Sequence, residues 1–317
     1  MLFRSVIWIT GARGFIGQHL ALAASENGSL VAGLGHGAWP ELEAKKCGIK
    51  YWVNGDITQA NLDFLVKQSG LPDTIYHLAG GSSVGLSIQA PEEDFYRTVT
   101  SAANLLEWVR LRNPNSRLVL ASSAAVYGAR HCRPIQESGV IEPYSPYGYH
   151  KRCAELLFES YARNFGLSTA IVRSFSVYGP GLRKQLLWDI CDRLQISSTR
   201  LMLGGSGNEI RDFIHVADAV SVMLAASQHA NQQCFVVNAG TGQAMSVSDV
   251  AESICNAWGL NLEVKFSGVS RAGDPEYLLN DTTNANSMGL TCKVAWSDGI
   301  AEYVKWYKQQ ANLRGDI

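Results

Sequence analysis

This chain has no cysteine pairs at metal-binding spacing, no basic runs and no long apolar stretches, and each shortage removes a class of function. The seven cysteines, Cys47, Cys132, Cys153, Cys191, Cys234, Cys255 and Cys292, are scattered, and no two have CxxC spacing. Neither a zinc site nor a disulfide framework is expected, and most read as buried small hydrophobes in a reducing cytoplasm. Lys and Arg number 27 against 28 Asp and Glu, a net charge of −1, and they are spread along the chain. Nucleic-acid and anionic-membrane surfaces concentrate basic residues, so no nucleic-acid or membrane partner is expected and a small molecule is favoured. No apolar stretch reaches the roughly 18 residues that a membrane span requires. Met1 to Thr10 runs straight into a glycine-rich turn, without the longer apolar region and cleavage site of a signal peptide. Internal repeats and low-complexity segments are missing too. A cytoplasmic protein is the expectation.

What is present is a strong alternation. The 317 residues, 46% hydrophobic and 17% charged, suffice for one large α/β unit or two closely joined domains. Val6 to Thr10, Leu30 to Leu34, Lys50 to Val53, Thr74 to Leu78, Arg117 to Ser122 and Thr169 to Arg173 are strand-like runs, apolar enough for burial on both faces. Helical patterns fill the gaps, notably Phe15 to about Asn27, Pro91 to Arg112 and Pro146 to Phe165. The pattern predicts an α/β fold, a Rossmann-type doubly wound parallel sheet with helices on both sides. After Arg173 the rhythm loosens, with turns at Gly179-Pro180-Gly181 and Gly204-Gly205-Ser206-Gly207. Val216 to His229 reads as a helix, and Cys234 to Asn238 as a strand rejoining the main sheet. The expected division is a dinucleotide-binding domain of residues 1–174 plus 214–238. A smaller C-terminal α/β domain of 175–213 plus 239–317 would bind substrate and close over the sheet's edge.

Gly11-Ala12-Arg13-Gly14-Phe15-Ile16-Gly17 follows the first strand and opens the first helix. One glycine makes the tight turn, one lets backbone approach a pyrophosphate, and one lets helix and strand pack closely. The helix N-terminus then offers N–H groups and a positive dipole end to phosphates. Which nicotinamide cofactor binds is a separate question. An NAD site usually carries Asp or Glu about 20 residues on, for the ribose 2′-hydroxyl. Here the stretch is Leu34-Gly35-His36-Gly37, in which Gly35 leaves room for a 2′-phosphate, and Arg13 could fork onto one. NADP(H) is therefore favoured, with NAD(H) possible; the bland alternative makes Arg13 a solvated loop charge.

Tyr147 and Lys151 are four apart at the start of a predicted helix, on one face, with Ser145 as N-cap and Pro146 at the first position. A nearby ammonium and the helix N-terminus both favour a phenolate over a phenol of pKa about 10. Such a tyrosine could exchange a proton with a sugar hydroxyl near neutral pH. Ala121-Ser122-Ser123-Ala124-Ala125-Val126-Tyr127-Gly128 ends the predicted fifth strand, on the rim where open α/β sheets bind ligands. A serine there could hydrogen-bond the reacting oxygen, or could merely end a strand.

With these motifs in hand, the chain resembles the extended short-chain dehydrogenase/reductase family, the NAD-dependent epimerases and dehydratases that modify nucleotide sugars. The resemblance runs over nearly the whole length. It takes in residues 11–17, Gly55-Asp56-Ile57, His77-Leu78-Ala79-Gly80, 121–128, Ser145-Pro146-Tyr147-Gly148 with Lys151, and Arg173-Ser174-Phe175-Ser176-Val177-Tyr178-Gly179-Pro180-Gly181. It continues through Arg211-Asp212-Phe213-Ile214-His215-Val216-Ala217-Asp218, Asn238-Ala239-Gly240 and Arg271-Ala272-Gly273-Asp274. The resemblance implies catalytic Ser123, Tyr147 and Lys151. It implies cofactor contacts from Gly11, Arg13, Gly14, Phe15, Ile16, Gly17, His36, Asp56, Ile57, Leu78, Ala79 and Gly80. Tyr147, Lys151, Ser174 and Val177 would join them. Ser122, Ser123, Ser176, Arg211 and Arg271 would bind substrate, the arginines clasping its nucleotide diphosphate. Ser176 departs from the family, which usually has asparagine there. No metal is implied. A homodimer joined through the helices at 91–112 and 146–165 is implied.

Relatives that eliminate water across C5 and C6 carry an acid pair just after the catalytic Ser/Thr, where this chain has Ala124 and Ala125. Relatives that invert C3 and C5 use a cysteine and a histidine where it has Ala125 and Gly181. What remains is hydride transfer at one carbon. The expected activity is NADP(H)-dependent reduction of a 4-keto(-6-deoxy) sugar nucleotide at C4. The alternative is a nucleotide-sugar 4-epimerase with tightly bound NAD(P), and a remoter one is a non-catalytic dinucleotide sensor.

Overall fold

The structure is a computed structural model and describes residues 5–196, 199–269 and 275–314. The chain divides into two compact units. The first holds Met1–Gly128, Glu137–Ser174 and Val220–Asn238, and the second Ala129–Gln136, Phe175–Ala219 and Ala239–Ile317. The division differs from the sequence expectation at two places. Residues 129–136 and 214–219 fall in the second unit, because Ile135 bridges to Asn280 and Phe213–His215 pairs with Ser176–Tyr178.

The first unit is built on a seven-stranded sheet. Its strands in chain order are β1 (Val6–Thr10), β2 (Leu30–Gly35), β3 (Tyr51–Asn54), β4 (Thr74–His77), β5 (Arg117–Ser123), β6 (Ser168–Ser174) and the strand Phe235–Ala239. Across the sheet the order is Phe235–Ala239, β6, β5, β4, β1, β2, β3. Every neighbouring pair from β6 to β3 is parallel, which is what continuous apolar strands separated by helices require. The order reverses beside β1, so β1 and β4 open a crevice at their C-terminal ends, the place where such sheets take ligands.

The helices of this unit are α1 (Phe15–Glu26), α2 (Glu41–Lys46), α3 (Gln59–Ser69), α4 (Val84–Gln89), α5 (Pro91–Phe95), α6 (Ser101–Arg112), α7 (Pro146–Phe165) and, from Val220 on, the helix Val216–His229. The stretch 91–112, expected as one helix, is interrupted by a π-helical turn at Tyr96–Thr100. That turn holds the buried Thr98 beside the loop after β4, and such turns recur at functional sites. The core is contiguous, with Trp8, Leu34, Ile75, Leu105, Leu118, Phe158 and Ile171 in one buried cluster.

The second unit has its own core. Tyr178, Phe213 and Trp296 pack ring on ring, and Tyr303 is fully buried with its hydroxyl donating to the Leu182 carbonyl at 2.8 Å. Asp212 accepts from the Thr241 amide and hydroxyl, the Gly242 amide and the Asn280 amide. Burial raises its carboxyl above the ordinary value while those bonds pull the other way. This buried acid therefore ties the Thr241–Gly242 turn and the segment at Asn280 to its own strand connection. Among the described residues no helix is long and apolar enough to cross a membrane, and no group of acidic, histidine and cysteine side chains is arranged to hold a metal.

Candidate active site

β1 delivers the glycine loop to the rim of the sheet. Gly11 has φ +72°, and a Cβ there would stand 2.9 Å from the Ala79 amide nitrogen. A Cβ on Gly17 would stand 2.5 Å from the Gly11 carbonyl oxygen. Turn and helix thus stack on the strand as closely as backbone allows. Gly14 precedes α1 with extended backbone, no side chain caps the helix, and its first turn holds no acid. The N–H groups of Phe15 and Ile16 and the positive helix end are left for an anion. The Leu78 amide donates to the Thr10 carbonyl and that of Ala79 to the Thr10 hydroxyl, which fixes the 78–80 loop beside the glycines. At the end of β6 the buried Ser174 hydroxyl has no hydrogen-bond partner among the described residues, an orphan that a ligand can satisfy. Together these features fit a dinucleotide with its pyrophosphate at the α1 N-terminus.

Beyond β2 the surroundings are polar and exposed. A Cβ on Gly37 would fall on the Arg13 guanidinium, so Arg13 reaches from the glycine loop across to the turn after β2. His36 Nε2 lies 2.9 Å from Asp56 Oδ1, with both side chains largely exposed. The turn is fixed by the Gly37 amide donating to Asn54 Oδ1 and by Trp52 Nε1 donating to the Gly37 carbonyl. One expectation is corrected here. Gly35 does not open space: it is buried, and a Cβ on it would stand 3.2 Å from the Trp52 ring and 3.4 Å from the Gly11 Cα. Trp52 fills the room that Gly35 was expected to leave. Ile57 likewise turns into the core at 6% exposure, its carbonyl accepting from Asn104.

At the catalytic end Ser145 caps α7, its hydroxyl accepting from the Gly148 amide at 3.2 Å. The Tyr147 amide donates to the buried Ser87 hydroxyl at 3.0 Å. That places the Tyr147 phenol against Ser123, to which it is hydrogen-bonded. Ser123 in turn caps the 3-10 turn Ala124–Tyr127, accepting from the Ala125 amide. Lys151 is buried, donates to the Ala121 carbonyl at 3.0 Å, and lies 5.8 Å from the centre of the Tyr147 ring. A Cβ on Gly80 would stand 3.3 Å from Lys151 Nζ, so the 78–80 loop and the lysine share one wall.

The expected easy phenolate is also corrected. Burial raises the Tyr147 phenol above its ordinary value, the Ser123 bond works to lower it, and the Asp94 charge adds to the rise. The protein by itself therefore keeps this tyrosine protonated at neutral pH. Beneath it His77 is pushed down to about 3, first by burial and then by the Lys151 charge. It stands neutral between the Thr10 hydroxyl at 2.8 Å and the Ser101 hydroxyl at 3.5 Å.

Ser122 points away from the rim. Its hydroxyl donates to Glu155 Oε1 at 2.6 Å in a fully buried network. Arg173 makes two bonds to the same carboxylate and a third to the Tyr127 hydroxyl, which donates to Asn238 Oδ1. Burial works against the Arg173 charge, and the Glu155 bonds more than offset it. Ser122 thus ties β5 to α7 and does not offer its hydroxyl to a substrate as expected. In the second unit Ser176 and Val177 are partly buried on the strand Ser176–Tyr178, the Ser176 amide donating to the Asp212 carbonyl. Arg211 lies on the strand Ile210–Arg211, between Met245–Ser246 and Tyr277–Leu278. Arg271 falls outside the described residues.

Four residues at the catalytic end escaped sequence reasoning: Ser87, Asp94, Thr98 and His150. His150 sits inside the Tyr147–Lys151 spacing, but its partner Asp94 is 56 positions earlier, and no local pattern signals that pairing.

A family model described as "NAD dependent epimerase/dehydratase family" matches residues 7–240. The chain belongs to that family. It is 30% identical to the UDP-glucose 4-epimerase of Mycolicibacterium smegmatis, over 96% of this chain and 98% of that protein. It is 29% identical to an Arabidopsis thaliana trifunctional UDP-glucose 4,6-dehydratase, 3,5-epimerase and reductase, over 98% of this chain but 48% of that protein, so it spans about half of that relative's length. Among solved structures it resembles UDP-glucuronic acid 4-epimerase from Bacillus cereus, in complex with UDP-glucuronic acid and NAD. The TM-score is 0.86 and the identity 25%, covering 96% of this chain and 99% of that one. The epimerase/dehydratase chain described here is therefore an enzyme of the short-chain dehydrogenase/reductase type, on the Rossmann-type sheet described above.

Proposed function

We propose that this family member is a nucleotide-sugar 4-epimerase that retains its nicotinamide cofactor through the cycle, with a UDP-sugar as its substrate class. The observation that carries the reading is the Tyr147 phenol bonded to Ser123, beside a buried Lys151 and an uncapped helix N-terminus. Gly11, Gly14, Phe15, Ile16 and Gly17 take the pyrophosphate, Arg13 and His36 the ribose side at the turn after β2, and Asp56 the adenine side. Leu78 to Gly80, Ser174, Val177 and Lys151 take the nicotinamide side. Ser176, Arg211 and Arg271 are assigned by side-chain type to the substrate, the arginines to its diphosphate.

Held by these residues, a nicotinamide would supply a reversible hydride acceptor at C4, and the ring charge of its oxidised form would favour the Tyr147 phenolate. The protein's own groups handle the proton. Ser123 orients the C4 oxygen, and Tyr147 accepts its proton as the C4–O bond becomes a carbonyl. After the 4-keto sugar presents its other face, Tyr147 returns that proton to the oxygen. Lys151 positions the phenol and adds positive charge near it. Ala124 and Ala125 can neither remove a C5 proton nor protonate a leaving hydroxyl, which supports chemistry confined to C4. Exposed apolar side chains on the stretches 91–112 and 146–165, among them Phe95, Tyr96, Tyr149, Leu156 and Phe165, support a homodimer.

A second reading, an NADP(H)-dependent 4-ketosugar-nucleotide reductase, is favoured by one observation: the Arg13 guanidinium over Gly37, where it could meet a 2′-phosphate. One experiment separates the two. The purified enzyme is incubated with UDP-glucose or UDP-glucuronic acid without added cofactor, and in parallel with a 4-keto-6-deoxy sugar nucleotide plus NADPH. The epimerase reading expects interconversion of C4 epimers in the first tube. Stoichiometric NADPH oxidation in the second, with no epimer interconversion in the first, overturns it for the reductase.

A further inference from the structure

We propose that Asp94 and His150 are positioning residues for Tyr147, the buried pair clamping the start of α7 to the segment 80–98 with the Asp94 charge in the surroundings of the phenol. The inference rests on the reading of Tyr147 as the proton carrier. Asp94 lies on α5 and is 6% exposed, with Oδ2 2.6 Å from His150 Nδ1. The Phe95 ring stands edge-on to His150 at 5.5 Å. A buried carboxylate needs a partner, and His150 supplies it from α7, three residues after Tyr147 and on the same side of the helix. A Cβ on Gly81 would fall on the Asp94 carboxylate, and the Gly81 amide donates to the Thr98 hydroxyl at 2.8 Å. Only glycine at 81 lets the carboxylate come this close to the loop that runs past Lys151. With Ser87 holding the Tyr147 amide, the segment from 80 to 98 grips the first two turns of α7.

The charge is what a merely structural pair would not need. A carboxylate near a phenol opposes phenolate. The other charged or titratable groups facing this region are few. Lys151 comes from α7 itself and His77 from β4, the latter neutral. Glu92 and Glu93 lie on the exposed side of α5, Glu93 paired with Arg97, and α4 carries no ionisable side chain. Further along α7, Glu155 is taken up by Arg152 and Arg173, and Glu107 of α6 by Arg110. Asp94 is the acid whose charge adds to the burial of Tyr147.

The test is the pH–rate profile of the cofactor-loaded enzyme and three variants. Asp94→Asn keeps the shape and removes the charge, and should move the limb reporting the phenol down by about one pH unit, with cofactor binding and circular dichroism unchanged. His150→Gln keeps the carboxylate charged and should not lower that limb. Should Asp94→Asn fail to fold, His150→Lys puts a fixed cation beside Asp94 and should lower the limb instead. An unmoved limb in a folded, cofactor-binding Asp94→Asn or His150→Lys overturns the proposal, as does an equal downward shift in Asp94→Asn and His150→Gln. Tyr147→Phe separates the two levels. Wild-type turnover there removes Tyr147 as proton carrier, whereas an inactive Tyr147→Phe with an unmoved Asp94→Asn limb refutes this inference alone.

Discussion

The first unit holds two polar regions of opposite character. Around α7, Glu155, Arg173, Ser122, Lys151 and His77 are all buried, the first three tied to one another, Lys151 to backbone and His77 to the Thr10 hydroxyl. Beyond β2, Arg13, His36 and Asp56 are exposed, and the His36–Asp56 pair stands in water. Low dielectric makes every charge in the first region consequential, and solvent screens those in the second. The difference teaches that the type of chemistry is set by groups that cannot change singly without cost. On the proposed reading, the choice between NAD and NADP is left to exposed side chains that can.

The sharpest contrast should come from Glu155→Ala. It strands Arg173 in the core and should cost about 3–5 kcal/mol of stability, read as a fall in chemical-denaturation midpoint. A loss below about 1 kcal/mol would put the buried network on the footing of the exposed pair. Next in size is Tyr147→Phe, which keeps the ring and removes the transferable proton. Turnover should fall about 100-fold or more while cofactor binding persists, measured by steady-state rates and cofactor titration.

Acid should also attack the buried region. His77 falls from 6.5 to about 3 on folding, so the unfolded chain binds a proton that the folded one refuses. The stability due to this neutral histidine is full above about pH 6.5 and is lost as pH drops toward about 3, by up to about 1.4 kcal/mol per pH unit. His77→Gln should flatten that slope in denaturant titrations from pH 7 to 4. The smallest change is expected at the exposed end. Arg13→Ala should leave NAD(H) affinity nearly unchanged and weaken NADP(H) by about 1–3 kcal/mol if a charged bond to the 2′-phosphate is lost. Equal weakening of both cofactors would assign Arg13 to the pyrophosphate instead.

How much of this was legible in the sequence follows the same divide between local and distant partners. The glycine loop, the strands and the capped start of α7 announce themselves in contiguous patterns: Gly11, Gly14 and Gly17 between strand and helix, or Ser145-Pro146 ahead of Tyr147. What escaped depends on residues far apart in the chain. Trp52 closes the space over Gly35, Glu155 takes the Ser122 hydroxyl, and Asp94 meets His150. The π-helical turn at Tyr96–Thr100 breaks an unbroken helical pattern. Its Thr98 accepts from Gly81, a demand that comes from the loop and not from the helix sequence. The raised Tyr147 phenol belongs here too, since burial and the Asp94 charge oppose what the spacing to Lys151 suggests.

The central claim is that one hydride leaves C4 and returns to C4 within a single bound cycle, with Tyr147 carrying the proton. The most direct measurement uses a UDP-sugar deuterated at C4, incubated with the enzyme in ordinary water without added cofactor, followed by mass spectrometry and proton NMR of both C4 epimers. The account predicts a product epimer that keeps its C4 deuterium, and no such product from Tyr147→Phe. Loss of the deuterium to solvent, or a product that forms only with added NADPH and takes its C4 hydrogen from that cofactor, would contradict it.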